Sequence, residues 1–158
     1  MNRLVKFGAI AVMSLCSAAA LAQGAPPTPE EAAKVAVETR QGLYKLMGWN
    51  MAPIGGMLRN KVPFDAAVVA KNSERMEQLS LMIPDLFQAD TSKFKTDTEA
   101  LEGIWTSKAD FNAKAADMSK AAAALTAAAK TGDKAATLKA AGALGKSCGS
   151  CHDTFRQK

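Results

Sequence analysis

The chain predicts an all-α protein, an antiparallel four-helix bundle. Three observations carry that prediction. Apolar residues recur at steps of three and four in four separate stretches, the period of a helix with one buried face. Start and stop residues flank most of those stretches. Two of the intervening connections are short and one is long, which suits neighbouring antiparallel helices with one crossing segment.

Ahead of the bundle, Arg3 and Lys6 precede an apolar run from Phe7 to Leu15 and small residues ending Ala20-Leu21-Ala22. That is a secretory leader with an A-x-A cleavage pattern. Its apolar core is shorter than the roughly twenty residues needed to span a bilayer. Cleavage removes residues 1–22 and leaves residues 23–158 as one domain. The formal charge of +5 falls to about +3 when Arg3 and Lys6 leave, too mild and too scattered for nucleic acid. No later run crosses a membrane.

The first helix opens at Thr28-Pro29-Glu30-Glu31, with Thr as N-cap, Pro in the first turn and Glu at the third position. Its stripe is Ala33, Val37, Arg40, Tyr44, Met47, Met51, Ile54 and Leu58, a buried face interrupted by one arginine. Gly48 and Pro53 are candidate bends, and Gly55-Gly56 weaken the end. A turn at residues 60–63 leads to a second helix over about residues 63–83, with Phe64, Val68, Met76, Leu79 and Ile83 inward and Pro84 as its stop. Residues 85–102 are the least regular, with room for a turn of helix near Glu99–Leu101.

The third helix is expected from Gly103 or Ile104 to Thr131, with Ile104, Phe111, Ala115, Met118, Ala122 and Leu125 on its stripe. Its alanine-rich segment is a packed helix rather than a linker, because Ala is the best helix former and Leu125 keeps the period. Gly132 and Asp133 supply a C-terminal cap and the next N-cap. The fourth helix follows from Lys134 to Phe155, with Leu138, Ala141, Gly145, Cys148, His152 and Phe155 on one side.

Chemistry concentrates in Cys148-Gly149-Ser150-Cys151-His152. Cys-x-x-Cys-His is the attachment sequence for a c-type haem. Each thiol adds across one vinyl group and the adjacent imidazole meets the iron. Positions i, i+3 and i+4 of a helix share a face, so all three side chains address one flat ring. A redox Cys pair would open a helix in a βαβ setting, which is missing, and zinc needs four ligands. Cys16 leaves with the leader and His152 is the only histidine. The expected cofactor is therefore one haem c, covalent through Cys148 and Cys151, with His152 on the iron. The small residues Ala115, Ala122, Ala141 and Gly145 leave room for it. With no second histidine, the far side of the iron is open or takes a methionine. The lack of a distal histidine also argues against a peroxidase-like enzyme, so no catalytic residue is assigned. Attachment of such haems takes place outside the cytoplasm, which agrees with the leader and places the protein in the periplasm.

Four helices behind a leader, ending in Cys-x-x-Cys-His, resemble the class II cytochromes c, and most closely the cytochromes c′ (c-prime). Arg40-Gln41-Gly42-Leu43-Tyr44, Pro63-Phe64-Asp65-Ala66-Ala67, Ile104-Trp105 and Cys151-His152-Asp153-x-Phe155-Arg156 carry the likeness in order. The resemblance implies a homodimer with five-coordinate high-spin iron that binds NO and CO and exchanges single electrons with an unidentified redox partner. It implies that Arg40 approaches a haem propionate, that Tyr44 covers the open face of the iron, and that Arg156 sits on the His152 side. Gln41, Met47, Phe87 and Met118 complete the side chains expected around the cofactor. Val35, Leu46 and Trp49, outside the buried stripe, hint at a partner helix. The alternative within the same class is a low-spin electron carrier. Its sixth ligand would be Met47 or Met51, one and two turns beyond Tyr44.

Overall fold

The computed structural model describes residues 26–158; the expected leader, residues 1–22, and its cleavage point lie outside them. Helix α1 spans Pro29–Leu58 and α2 Ala66–Leu81. Two single-turn helices follow, α3 Ile83–Leu86 and α4 Gly103–Thr106. Helices α5, Lys108–Lys130, and α6, Lys134–Phe155, complete the bundle. The all-α four-helix expectation holds. Packing runs in the cycle α1–α2–α5–α6, with α2 and α5 the most intimate pair and the α1–α6 seam the loosest of the four.

Helix α1 begins as its sequence dictates. The Thr28 hydroxyl accepts from the Glu31 amide, and the Glu31 carboxylate takes the Thr28 amide at 2.8 Å. That pair satisfies donors left free by the first turn. It also holds the Glu31 carboxyl below its ordinary range, through the backbone bond first and the hydroxyl second. The helix runs through Gly48 and Pro53 without interruption. At its end a Cβ on Gly56 would come 3.2 Å from Val62, so glycine lets the chain fold back closely.

Three boundaries differ from expectation. Helix α2 starts at Ala66 rather than near Pro63, because the Asp65 carboxylate caps the amides of Ala67 and Val68 at 2.9 and 3.0 Å. Pro84 does not act as the stop. The helix ends at Leu81, and Pro84 lies in the first turn of α3, where its missing N–H costs nothing. The expected third helix is split at Ser107 (φ −121°, ψ 45°). The Trp105 indole donates to the carbonyls of Phe87 and Ala89, both at 3.1 Å, while Phe111 is fully buried. One unbroken helix would set those two residues about 120° apart, and the break releases them from that constraint.

The turn of helix expected near Glu99–Leu101 is extended backbone instead. Ala100 forms an antiparallel bridge with Arg156. The Leu101 amide donates to the Phe155 carbonyl at 3.1 Å and the Gln157 amide to the Glu99 carbonyl at 2.8 Å. The Phe155 carbonyl lies at the end of α6 and needs a partner, which the long connection supplies. Gly132, at φ +75°, makes the α5–α6 turn in a region that favours glycine, and Asp133 then caps α6 through Ala136 at 3.1 Å.

Ile54, Val69, Met76, Phe111, Leu125 and Leu144 are fully buried, each contributing about 1.5–3 kcal/mol over an exposed position. Between α2 and α5 the Thr126 hydroxyl meets that of Ser73 at 2.7 Å, and Ser73 reaches the Val69 carbonyl at 2.8 Å. The buried face of α6 comprises Thr137, Ala141, Leu144 and Phe155. Gly145 and His152, expected on that stripe, are exposed.

Candidate haem site

Helix α6 presents Cys148 and Cys151 half-buried, both free thiols packed against the core cluster, with His152 exposed beside them. Burial raises both thiols above their ordinary range. At Cys151, nearby Lys114 works against that rise while Cys148 and Asp110 add to it. The Lys114 ammonium lies 2.9 Å from the Ser150 hydroxyl, between the two cysteines in sequence.

The His152 imidazole makes no hydrogen bond among the described residues. Partial burial, then the Arg156 charge, hold its pKa below the usual imidazole value, with Asp153 and Glu99 opposing. A neutral imidazole with an unclaimed nitrogen is the form that binds iron. Arg156 itself is mostly exposed and lies 3.7 Å from the Glu99 carboxylate.

Across the loose α1–α6 seam stands Tyr44. Its phenol is held well above the ordinary range by burial first and by nearby Cys151 second, with Arg40 opposing. The residue nevertheless keeps 38 % of its surface exposed. From Tyr44 a chain of rings crosses the bundle. Phe87 lies 6.3 Å away, Phe111 5.0 Å from Phe87, and Phe155 5.3 Å from Phe111. Phe87, Met47 and Met118 are buried in the same core cluster that the cysteines pack against. Met51 is half-buried at its edge.

Arg40 is 96 % buried on α1. Its Nε donates to the Leu86 carbonyl at 2.8 Å, one terminal nitrogen to the Thr91 hydroxyl at 2.7 Å, and the other to the Ala89 carbonyl at 2.8 Å. The guanidinium also lies over the Phe87 ring at 4.5 Å and near Trp105 at 5.5 Å. Desolvation lowers its pKa, and Tyr44 and Asp90 counter that. Of its five N–H groups, two remain for a carboxylate. Gln41 donates to the Asp97 carbonyl at 2.8 Å. Thr91 and Lys114 were not anticipated from sequence; both act across 36 to 51 residues of chain, and no local pattern marks them.

The donor set fits haem c and not a bare metal. Among the described residues no group of three His, Cys, Asp or Glu side chains gathers to hold an ion. The thiols and the imidazole lie on α6, and a Cβ added at Gly142, Gly145 or Gly149 would meet no atom within 4 Å. That helix flank is clear, and the opposing Tyr44 is incompletely covered.

The family profile described as cytochrome c′ matches residues 35–156. A cytochrome c-554 from Cereibacter sphaeroides is 40 % identical over 124 residues, spanning 77 % of this chain and 92 % of its own. A cytochrome c′ from Rhodopseudomonas palustris is 44 % identical over 124 residues, spanning 77 % and 82 %. Among solved structures, the nitric oxide complex of a mutant cytochrome c prime from Alcaligenes xylosoxidans superposes with a TM-score of 0.71 at 30 % identity. That match covers 80 % of this chain and 97 % of that one.

Proposed function

Since the chain belongs to the cytochrome c′ family and carries haem c on Cys148 and Cys151, we propose that it is a periplasmic gas-binding protein with five-coordinate high-spin iron. It binds NO or CO on the Tyr44 side and exchanges single electrons with a redox partner. It is not an enzyme. The haem supplies an iron atom able to take a diatomic ligand and to change by one electron.

One observation carries this reading. The α1 residue across the seam from the cysteines is Tyr44, whose ring packs 6.3 Å from that of Phe87 while Met47 is buried in the core, and a neutral phenol is a poor iron ligand. Cys148 and Cys151 would tether the ring, and His152 would supply the imidazole ligand to the iron. Tyr44 and Phe87 would provide bulk that favours small ligands, and the two spare N–H groups of Arg40 would be available to a propionate. The bound nitric oxide of the Alcaligenes structure supports the gas assignment.

Among the described residues no helix is long and apolar enough to cross a membrane. Val35, Leu46 and Trp49 on α1 are 59, 54 and 66 % exposed, an apolar strip suited to a second copy of the chain. Sedimentation velocity at micromolar concentration is expected to show the homodimer, and monomer alone would remove it.

The decisive measurement is the absorption spectrum of the reduced holoprotein with and without CO. A high-spin spectrum that shifts on CO is expected. Sharp low-spin bands untouched by CO would assign the sixth position to Met47 or Met51 and make the protein a pure electron carrier. Tyr44→Met should convert the open form toward six-coordination; an unchanged spin state would displace Tyr44 from the iron.

A further inference from the structure

Charge is unevenly divided along the chain. Residues 108–158 hold nine Lys or Arg against four Asp, whereas residues 26–107 hold nine against eleven Asp or Glu. Helix α5 carries four lysines against two aspartates and α6 three lysines against Asp153, and α6 has no acidic residue from Lys134 through His152. Lys139 and Lys146, seven apart and exposed, share one face of that helix. Lys114 of α5 adds its ammonium at Ser150. On the same pair of helices Lys120 is neutralised by Asp117 at 3.5 Å and Lys130 by Glu74 at 2.6 Å, while Lys108 donates to the Phe87 carbonyl. Among the described residues, Lys114, Lys139 and Lys146 have no carboxylate within 4.0 Å. The counter-charge of Asp153 lies past the motif, and Asp110, one turn before Lys114 on α5, is the acidic group near Cys151.

We propose that this α5–α6 lysine face is the docking surface for a one-electron carrier protein with an acidic face. The inference rests on the electron exchange proposed above. Fixed unpaired charge of one sign steers an oppositely charged partner and raises the encounter rate. The face adjoins the thioether edge of the ring, because Lys114 contacts the residue between the two tethers. The propionates of a bound haem c would carry their negative charge at the ring edge away from the thioethers, and so away from these lysines. Each encounter moves one electron. The iron changes by one unit and the partner's centre by one in the opposite sense, with no proton or bond transferred.

The test uses ferrous holoprotein in stopped flow, oxidised by ferricyanide or by the cationic tris(phenanthroline)cobalt(III). The ferricyanide rate should fall about threefold or more from ~10 to ~150 mM ionic strength, while the cobalt rate rises. Lys114→Glu/Lys139→Glu/Lys146→Glu should reverse both slopes. Lys34→Glu/Lys61→Glu/Lys71→Glu, with the same net change, should keep their sign. Equal behaviour of the two triple variants overturns the docking face and leaves electron transfer standing. Failure of both oxidants to react with the wild type overturns electron transfer itself. As a binding readout, poly-L-glutamate should slow ferricyanide oxidation of the wild type and not of the Lys114 triple variant. Co-sedimentation with phosphatidylglycerol vesicles, without a poly-L-glutamate effect, would make the face a lipid-binding one and overturn the protein partner.

Discussion

The guanidinium of Arg40 lies 4.5 Å from the centre of the Phe87 ring while bonding the carbonyls of Leu86 and Ala89 on either side of it. A buried charge on α1 therefore holds the segment that delivers Phe87 to the core. Arg40→Met should destabilise the protein by about 3 kcal/mol, because the carbonyls and the Thr91 hydroxyl lose a charged donor. Arg40→Lys should recover only part of that, since an ammonium lacks the planar fork. Urea unfolding of the holoproteins measures both.

Attachment through Cys148 and Cys151 predicts a clean difference in cofactor retention. In wild type, acidified butanone should leave the haem on the chain after denaturation. Cys148→Ala/Cys151→Ala should surrender all of it, and either single variant should retain a one-armed adduct, visible as a shifted pyridine haemochrome band.

Tyr44 predicts a pH dependence at the alkaline end. Its phenol loses the proton at higher pH in the folded chain than in the unfolded one. Above about pH 10, where an unfolded tyrosine ionises, the native state thus holds more protons. Stability contributed by the neutral phenol is complete below that pH and is lost as pH rises above it. Partial exposure of the ring keeps the effect modest through solvent screening. Denaturant titrations from pH 8 to above 11 should show the decline in wild type and a shallower one in Tyr44→Phe.

The buried hydroxyl pair of Ser73 and Thr126 should show coupling. Ser73→Ala leaves Thr126 to rely on the Ala122 carbonyl at 3.1 Å and should cost about 1 kcal/mol. Adding Thr126→Val should cost less than the sum of the single changes, by about 0.5 kcal/mol or more, in urea unfolding.

At the C-terminal clasp, backbone should matter more than charge. Leu101→Pro removes the amide that serves the Phe155 carbonyl and should cost about 1–2 kcal/mol. Glu99→Gln removes only a mostly exposed ion pair with Arg156 and should change thermal stability by less than about 0.5 kcal/mol.

Features encoded by neighbours in the chain were legible before any coordinates. Thr28 and Glu31 announce the start of α1, Gly132 and Asp133 the α5–α6 turn, and the Cys148–His152 run its own chemistry. Features that depend on distant partners were not. Ser107 breaks a helix whose local pattern is continuous, because Trp105 and Phe111 have separate destinations. Residues 99–101 extend because the end of α6 needs donors. Asp65 outcompetes Pro63 as a start since its carboxylate reaches two amides, a choice both residues' types allow. For the site, the pattern marked Arg40 as a buried charge. Its bonds to Leu86, Ala89 and Thr91 lie in the stretch with no period to read.

His152 follows directly after Cys151, an arrangement that outlasts any single bond to the metal. The His152 backbone is fastened one residue from a tether, and the tail beyond it is stitched to residues 99–101. An imidazole held in that way would sit beside a bound haem at an effective concentration of millimolar order or higher. Retention of the cofactor would then draw on a ligand that dilution cannot remove.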